Sequence, residues 1–302
     1  MFINCNNECF NYHGRWEKTN NGYKSHWVRP YVEFFCDADF GLKLGDGSGE
    51  YSVFVDGEKV NAEDGVYKLC KKSLVRLTAN ETAHTVTFKG VETEGSVGFV
   101  PSRKQNILFI GDSLTHSAVS HSVIIPRELD CDYTCIAQGS MALCVDRGYV
   151  KVKEELTPFK GMSAAFFYLT SPCEGRVPMV PFDFENERKY DKIIIQIGTN
   201  DHLTDESYVD GFVTVYREFV RKIIGIYGDT PVFLALPSAD TVDGSGWRRN
   251  TIERCAKEAE AQYGNATYIS SRGWDVEISS DNVHPTTQGY ATYAYELLKH
   301  LR

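Results

Sequence analysis

The stretch NILFIGDSLTHS, residues 106–117, decides how the rest of the chain is interpreted. Its apolar run closed by Gly111 predicts a buried strand that ends at the edge of a sheet, and Thr115 to Leu129 are predicted to leave that edge as a helix. Ser113 would then lie at the carboxyl end of a strand, where open α/β sheets bind their ligands. A serine that only caps the following helix fits the same pattern. The remaining segments have to decide between the two interpretations.

Five segments beyond residue 104 have the composition of buried parallel strands, since each is short and mostly apolar. They are NILFIG at 106–111, DYTCIAQG at 132–139, KIIIQIG at 192–198, PVFLALP at 231–237 and ATYIS at 266–270. Apolar residues also recur at helical spacing over 212–223 and 290–301. Strands that alternate with helices predict a three-layer α/β/α domain with a parallel five-stranded sheet over residues 104–302.

Residues 1–103 have a different pattern, typical of a small all-β domain. Short runs rich in β-branched and aromatic residues are separated by Gly, Asp and Asn, and they include YVEFF at 31–35, YSVFV at 51–55, LVRLT at 74–78 and HTVTF at 84–88. Asp56-Gly57 after YSVFV is a strong signal for a two-residue hairpin. We therefore expect a β-sandwich or jelly roll. Four prolines interrupt residues 151–191, which we expect to form ordered loops and short helices that could line a site.

Composition narrows the class of partner. The net charge of -9 disfavours nucleic acid and anionic membranes, and no apolar run approaches the roughly 20 residues that a bilayer span needs. The nine cysteines include no CxxC pair, so a zinc site is not expected. Neither a metal nor a cofactor is predicted. Mostly reduced thiols, and a start without the features of an export signal, favour the cytoplasm. A secreted protein whose signal peptide has been removed remains an alternative.

Polar residues follow several of the predicted strands. Gly139 ends the second strand, Asn200 follows the third, and Asp281 and His284 lie near the end of the chain. Because the carboxyl ends of parallel strands lie along one edge of a sheet, Ser113, Gly139 and Asn200 should meet in one crevice. These are the parts that acyl transfer requires.

The chemistry explains the residue types. A serine hydroxyl needs a base within hydrogen-bond reach, which a neutral His284 can supply, and Asp281 can hold that imidazole in the required tautomer. Attack on an ester carbonyl places negative charge on oxygen, for which the Gly139 N–H and the Asn200 amide are suitable donors. Ser113, His284 and Asp281 are therefore the candidate catalytic residues.

The sequence also resembles a known family. GDSLT at 111–115, the glycine of AQGSM at 139, GTND at 198–201 and DNVHP at 281–285 are similar to blocks I, II, III and V of the SGNH, or GDSL, hydrolases. The resemblance implies that Ser113 is the nucleophile, that His284 is the base oriented by Asp281, and that the Ser113 N–H, the Gly139 N–H and the Asn200 side chain form the oxyanion hole.

The β-rich N-terminal part of the chain makes the resemblance more specific. A β-rich domain with Gly14-Arg15-Trp16 and the approach PFDFENERKYDKIIIQIGTND at 181–201 resemble carbohydrate esterase family 2, in which a jelly roll precedes the SGNH domain. The implied activity is removal of acetyl groups from acetylated carbohydrates, such as xylan- or mannan-type poly- and oligosaccharides. AQGSMAL lacks the extra glycines that are common in block II, and members of family 2 differ in whether a carboxylate supports the histidine.

Other interpretations remain open at this point. His284 could cap a helix, Asn200 and Asp201 could close a turn, and Asp112 could be a structural cap. Trp274, in the loop before DNVHP, could stack on a sugar ring in the substrate site, as could Tyr168. The alternative functions are a lipase or thioesterase that acts on longer acyl chains, and a carbohydrate-binding protein without catalysis.

Overall fold

The computed structural model describes residues 1–80, 85–144, 161–174, 179–201, 206–238 and 247–302. The chain divides into two compact units. The first unit comprises Met1–Arg103 together with Leu169–Arg176, and the second comprises Lys104–Tyr168 and Val177–Arg302. The expected assignment of 1–103 and 104–302 as separate domains stays a prediction.

The described residues of the first unit form one antiparallel sheet of nine strands. The strands are β1 Phe2–Asn4, β2 Asn11–Thr19, β3 Gly22–Cys36, β4 Phe40–Leu44, β5 Tyr51–Val55, β6 Glu58–Val60, β7 Ser73–Ala79, β8 Thr87–Thr93 and β9 Val97–Gly98. Their order is β1-β8-β3-β7-β5-β6, while β2 and β9 pair with β3 and β4 pairs with β8. Burial alternates along β2 and in the first half of β7, as expected for strands with one face on a core.

Local sequence accounts for several features of this sheet. β5 and β6 are joined by Asp56 and Gly57, both at positive φ, which is the two-residue hairpin predicted from the sequence. The ring of Phe10 packs edge-on against Phe34 and Phe88 at 5.3 and 5.0 Å between centroids, inside a core of buried apolar residues. The HTVTF run begins outside the described residues, and its strand, β8, starts at Thr87.

The second unit contains five parallel strands flanked by helices. The strands are β10 Asn106–Gly111, β11 Asp132–Ala137, β12 Lys192–Gln196, β13 Val232–Ala235 and β14 Ala266–Ile269. The helices are α1 Ser113–His116, α2 His121–Leu129, α3 Met162–Ala165, α4 Glu206–Tyr227, α5 Trp247–Gln262 and α6 Thr287–Leu298. The strand order is β11-β10-β12-β13-β14, so the predicted fold class, with its parallel five-stranded sheet, is confirmed.

The helix predicted from Thr115 to Leu129 is wrong in one respect, because the chain forms two helices with a break at residues 117–120. Ser117 is extended at ψ 139° and ends α1. The hydroxyls of Ser120 and Ser122 both donate to the Thr115 carbonyl, at 2.8 and 2.7 Å. Serine side chains that bond to nearby backbone compete with helical hydrogen bonds, and this local competition interrupts the helix.

The proline-rich stretch 151–191 is described in part. Residues 151–160 and 175–178 lie outside the described residues. The described portion includes α3 and a short 3-10 helix, Pro172–Glu174, and Tyr168 pairs with Pro181 in an isolated bridge. The prediction of loops and short helices therefore holds for this portion.

Two further properties concern the environment of the protein. Over the part of the chain that the structure describes, none of the helices combines the length and the apolar character that a bilayer crossing requires. All nine cysteines lie within the described ranges, and no disulfide joins any of them.

Candidate active site

The carboxyl ends of three neighbouring strands bring the candidate residues to one edge of the sheet. Gly111, the last residue of β10, is in register with Ala137 of β11 on one side and with Gln196 of β12 on the other. A Cβ atom on Gly111 would lie 2.6 Å from the Gln196 carbonyl oxygen and would collide with the Thr115 hydroxyl. Glycine is therefore required here, because a larger residue would have no room between β12 and the first turn of α1.

Ser113 is the first residue of α1 and is half-buried. The turn before it is fixed by Asp112, whose carboxylate accepts the Leu114 N–H at 3.0 Å as the N-cap of α1. Asp112 is fully buried, and this burial raises the pKa of its carboxyl to about 6. Asp112 therefore acts as the structural cap that the sequence analysis allowed, directly before the serine.

Ser113, His284 and Asp281 lie in one hydrogen-bonded chain. His284 Nε2 is 2.8 Å from Ser113 Oγ, and His284 Nδ1 is 2.6 Å from Asp281 Oδ2. The serine and the histidine are 171 residues apart in the sequence. The fold therefore brings three residues that the sequence analysis selected into mutual contact.

Backbone geometry holds Asp281 and His284 in position. The second carboxylate oxygen, Asp281 Oδ1, accepts the Ser279 hydroxyl and the N–H groups of Val283 and His284, each at 2.8 Å. The turn is closed by hydrogen bonds from Ser279 N to the His284 carbonyl at 2.8 Å and from Asn282 N to the Ser279 carbonyl at 3.0 Å. Short-range contacts within residues 279–284 thus set the direction of the imidazole.

Hydrogen bonding fixes the charge of Asp281 and the tautomer of His284. The His284 side chain and then the backbone N–H groups of His284 and Val283 hold the pKa of Asp281 well below its usual range. An ionised carboxylate only accepts hydrogen bonds, so the proton of neutral His284 lies on Nδ1, which donates a hydrogen bond to Asp281 Oδ2. The Nε2 lone pair then faces the Ser113 hydroxyl, which is the arrangement that a general base needs.

The loop after β11, residues 138–144, contains Gly139 and is named here the Gly139 loop. It begins with a turn in which Met141 N donates to the Gln138 carbonyl at 3.3 Å, and Ser140 adopts a left-handed conformation at φ 59°. The Asn200 side-chain amide donates to the Met141 carbonyl at 3.0 Å. Because an amide nitrogen has two N–H groups, this bond uses one donor and leaves the capacity for a second.

Three further residues were predicted from the sequence to belong to the site, namely Asn200, Gly139 and Trp274. Asn200 follows β12 and Gly139 follows β11, the two strands that flank β10, and Asn200 bonds to the Gly139 loop itself. Trp274 packs its ring against Tyr293 of α6 at 5.1 Å and against His300 at 6.3 Å between centroids. Its suggested stacking on a sugar stays a prediction.

The structure also reveals a buried carboxylate whose partners the sequence did not identify. Asp201 Oδ2 accepts the Leu143 N–H at 2.7 Å and Asp201 Oδ1 accepts the Cys144 N–H at 2.9 Å. Burial raises the pKa of Asp201, while these two N–H groups act in the opposite direction. The only available signal was its position directly after Asn200 in GTND, which equally fits a turn. Among the described residues, no three metal-ligating side chains meet at the triad.

Comparisons with known proteins agree with this architecture. No protein-family model matches the chain. The curated cellulase/esterase CelE of Acetivibrio thermocellus is 26% identical over 268 residues, which cover 74% of this chain and 30% of that protein. The chain thus spans about a third of the length of that relative.

Two solved structures share the fold. A family two carbohydrate esterase from Clostridium thermocellum, solved in complex with cellohexaose, has a TM-score of 0.77 and 20% identity, covering 97% of this chain and 98% of its own. The acetyl xylan esterase Est2A from the rumen bacterium Butyrivibrio proteoclasticus has a TM-score of 0.77 and 15% identity, covering 100% of this chain and 97% of its own. The resemblance predicted from the sequence is therefore confirmed at the level of the fold.

Proposed function

We propose that this chain is a serine esterase of the carbohydrate esterase family 2 type, which removes O-acetyl groups from carbohydrates through an acetyl-enzyme. The observation that supports it most strongly is the chain of hydrogen bonds from Ser113 Oγ to His284 Nε2 at 2.8 Å and from His284 Nδ1 to Asp281 at 2.6 Å. A serine hydroxyl, a neutral imidazole and an ionised carboxylate in this order are the parts of a nucleophilic triad.

In the proposed acylation step, Ser113 Oγ attacks the acetyl carbonyl carbon while its proton passes to His284 Nε2. The carbonyl π electrons move to oxygen, and the Ser113 N–H, the Gly139 N–H and the Asn200 amide donate hydrogen bonds to that oxyanion. When the carbonyl re-forms, the bond to the sugar oxygen breaks and His284 returns the proton to it. The products are the free sugar hydroxyl and Ser113 bearing an acetyl group.

Deacylation repeats these steps with water as the nucleophile. His284 Nε2 takes a proton from water as the oxygen attacks the acetyl carbon, and the same donors stabilise the second oxyanion. Collapse breaks the bond to Ser113 Oγ, which regains its proton from the imidazolium. Asp281 stabilises that imidazolium in both half-reactions without becoming protonated.

The proposed substrates are acetylated xylan- or mannan-type poly- and oligosaccharides. The relatives support this class, since the similar Clostridium esterase was solved with cellohexaose and the similar Butyrivibrio enzyme is an acetyl xylan esterase. The side chains of His284 and Asp281 are 39% and 50% exposed, so a bulky chain can reach the base from solvent. Trp274 is proposed as a sugar contact.

The charge of the protein and its thiols support two subsidiary proposals. With a net charge of -9, the chain is not expected to bind nucleic acid or anionic membranes. The second proposal concerns localisation: nine cysteines without a disulfide fit a reducing compartment such as the cytoplasm. The second proposal is tested by expressing a tagged copy of the protein in its native cells and by measuring whether the tag is found in the cytoplasmic fraction or in the medium.

The experiment that tests the proposed function compares the wild-type protein with Ser113→Ala. We expect the variant to lose hydrolysis of p-nitrophenyl acetate by at least about 1,000-fold, because the nucleophile is gone, while its thermal unfolding midpoint stays close to that of the wild type. Acetate release from acetylated xylan, mannan and chitin-type oligosaccharides then identifies the glycan. Turnover near the wild-type rate in Ser113→Ala would refute the proposal.

Acyl-chain length separates this function from its alternatives. A carbohydrate deacetylase should prefer acetyl over hexanoyl and octanoyl esters of the same alcohol. A preference for the longer esters would instead identify a lipase or thioesterase. Glycan binding without release of acetate from any of these substrates would identify a carbohydrate-binding protein.

A further inference from the structure

Asp201 is the buried acidic group with the most direct connection to the Gly139 loop. Its two carboxylate oxygens accept the N–H groups of two successive residues, Leu143 at 2.7 Å and Cys144 at 2.9 Å. Both distances lie within the range of strong, charge-assisted hydrogen bonds. A carboxylate that accepts two adjacent N–H groups fixes both the position and the orientation of that backbone segment.

Burial leaves this carboxylate with protein partners instead of solvent. Asp201 is 1% exposed, and Leu143 and Cys144 are 0% and 4% exposed. Bulk water therefore cannot take the place of the carboxylate if it is removed, and two buried N–H groups would lose their acceptor. The backbone of Asp201 is also held, because Arg248 Nε donates to the Asp201 carbonyl at 2.9 Å.

The pair Asn200–Asp201 holds the Gly139 loop at a second point as well. Asn200, directly before Asp201, donates its side-chain amide to the Met141 carbonyl at 3.0 Å. The start of α3 adds a third contact, because Met162 N donates to the Ala142 carbonyl at 2.8 Å. Residues 141–144 are thus fixed to the loop that follows β12, and Gly139 lies between this fixed segment and the end of β11.

We propose that Asp201 is a positioning residue, whose carboxylate fixes the Gly139 loop so that the Gly139 N–H and the Asn200 amide keep a constant separation. This inference rests on the proposed esterase function, in which these two groups donate to one oxyanion. An oxyanion hole works only if its donors are held in place before the charge develops. Asp201 itself touches neither the substrate nor the reacting atoms.

The test compares the wild-type enzyme with Asp201→Asn, which keeps the size of the side chain but puts an NH₂ group against one of the two N–H donors. We expect kcat for p-nitrophenyl acetate to fall by roughly 100-fold while KM changes by less than about three-fold, since donors displaced by about 1 Å lose most of their effect on the transition state. The affinity of phenylboronic acid, which forms a tetrahedral adduct on Ser113 Oγ, should fall with kcat. A kcat within about three-fold of the wild type would overturn the proposal.

A matched control separates positioning from general stability. Asp132 is also 1% exposed, but it begins β11 at the opposite end of the strand from the Gly139 loop. We expect Asp132→Asn to change the unfolding midpoint and to leave kcat within about two-fold of the wild type. Equal losses of kcat and of boronate affinity in both variants would show a nonspecific effect of removing a buried charge, and would contradict the proposal.

A measurement on the wild-type protein covers the case in which Asp201→Asn does not fold. Residue-resolved amide hydrogen exchange should show the N–H groups of Leu143 and Cys144 strongly protected, and exchange at the rate of an open loop would contradict the proposal. The Ser113→Ala variant distinguishes a failure of the proposed esterase function from a failure of the proposed role of Asp201. Turnover that survives it refutes the esterase function, whereas normal kcat in Asp201→Asn, in an enzyme that Ser113→Ala inactivates, refutes only the role of Asp201.

Discussion

At the level of single residues, the candidate site depends on the charge states of two aspartates in opposite surroundings. Asp281 is half-exposed and its pKa is lowered by the bonds from His284 and Val283, so it is ionised at neutral pH. Asp112 is buried and its pKa is raised to about 6. The sequence predicted the positions of both residues, but their protonation follows from burial and hydrogen bonds that only the folded chain creates.

The role of Asp281 is tested by Asp281→Asn. The amide can present an N–H to His284 Nδ1 and so favours the tautomer whose Nε2 cannot accept the Ser113 proton. We expect kcat/KM for p-nitrophenyl acetate to fall by about 100-fold, less than for a fully buried triad acid, because solvent reaches this carboxylate. Ser279→Ala, which removes only one donor to Asp281, is the control and should lose less than about five-fold. Near-normal activity in Asp281→Asn would assign the orientation of His284 to the backbone alone.

Asp112 predicts a dependence of stability on pH. Between about pH 4 and pH 6 the folded protein keeps the proton on Asp112 while the unfolded chain has lost it, so the free energy of unfolding falls as the pH rises through this window. Above pH 6 the ionised, buried Asp112 lowers the free energy of unfolding by its full amount, about 3 kcal/mol. In Asp112→Asn, whose side-chain oxygen can still cap Leu114, this contribution should vanish.

Urea unfolding of both proteins at pH 4, 5, 6 and 7 measures the difference. The stability of Asp112→Asn relative to the wild type should increase by about 2–3 kcal/mol from pH 4 to pH 7. A difference that is independent of pH would show that Asp112 is already ionised at pH 4 in the folded protein, and would contradict the assigned pKa.

At the level of elements, the strands of the second unit were predictable and the first helix was not. A continuous apolar run such as KIIIQ at 192–196 is a local signal for a buried parallel strand, and the structure contains it as β12. The break between α1 and α2 depends on the side chains of Ser120 and Ser122, which bond to a carbonyl five and seven residues earlier. Apolar spacing has no information about such bonds, so it predicted a single helix.

The serine pair predicts a cooperative effect on stability. Thr115, Ser120 and Ser122 are all 0% exposed, so the Thr115 carbonyl depends on protein donors, among them these two hydroxyls. Each single alanine variant leaves one donor and should cost less than about 1 kcal/mol, whereas the double variant leaves a buried carbonyl without these donors and should cost about 2–3 kcal/mol. Chemical unfolding of the four proteins gives the coupling energy. Costs that simply add would show that the two hydroxyls do not share this role.

At the level of the whole molecule, the pattern of predicted strands and helices separates a β-rich first part from an α/β second part. That pattern does not show which distant segments of the chain contact each other. The structure groups Leu169–Arg176 with Met1–Arg103 although these residues lie far along the chain. In the first unit, Glu33 is 0% exposed and pairs with Arg103 at 2.8 Å and with Arg76 at 2.7 Å. Burial acts to raise its pKa, but the two arginines outweigh this and hold the pKa of Glu33 below its usual value.

We propose that residues 1–103 and 104–302 are separate domains, and Arg103→Gln tests this proposal. Loss of one partner of a buried carboxylate should lower the calorimetric transition of the first unit by about 5–10 °C, while the transition of the second unit and kcat stay unchanged. Arg127→Gln removes an ion pair in which the Arg127 side chain is 68% exposed, and as the control it should shift neither transition. A single transition that moves as a whole in Arg103→Gln would contradict two independent domains.

Acid quenching during turnover of p-nitrophenyl acetate tests most directly whether Ser113 is the residue that becomes acetylated. Peptide mass spectrometry should locate one acetyl group on Ser113 in the quenched wild-type protein, and none there in His284→Ala, because the hydroxyl is not activated without the base. An enzyme that turns over while Ser113 stays unmodified and another residue bears the acetyl group would contradict the role of Ser113 as the nucleophile.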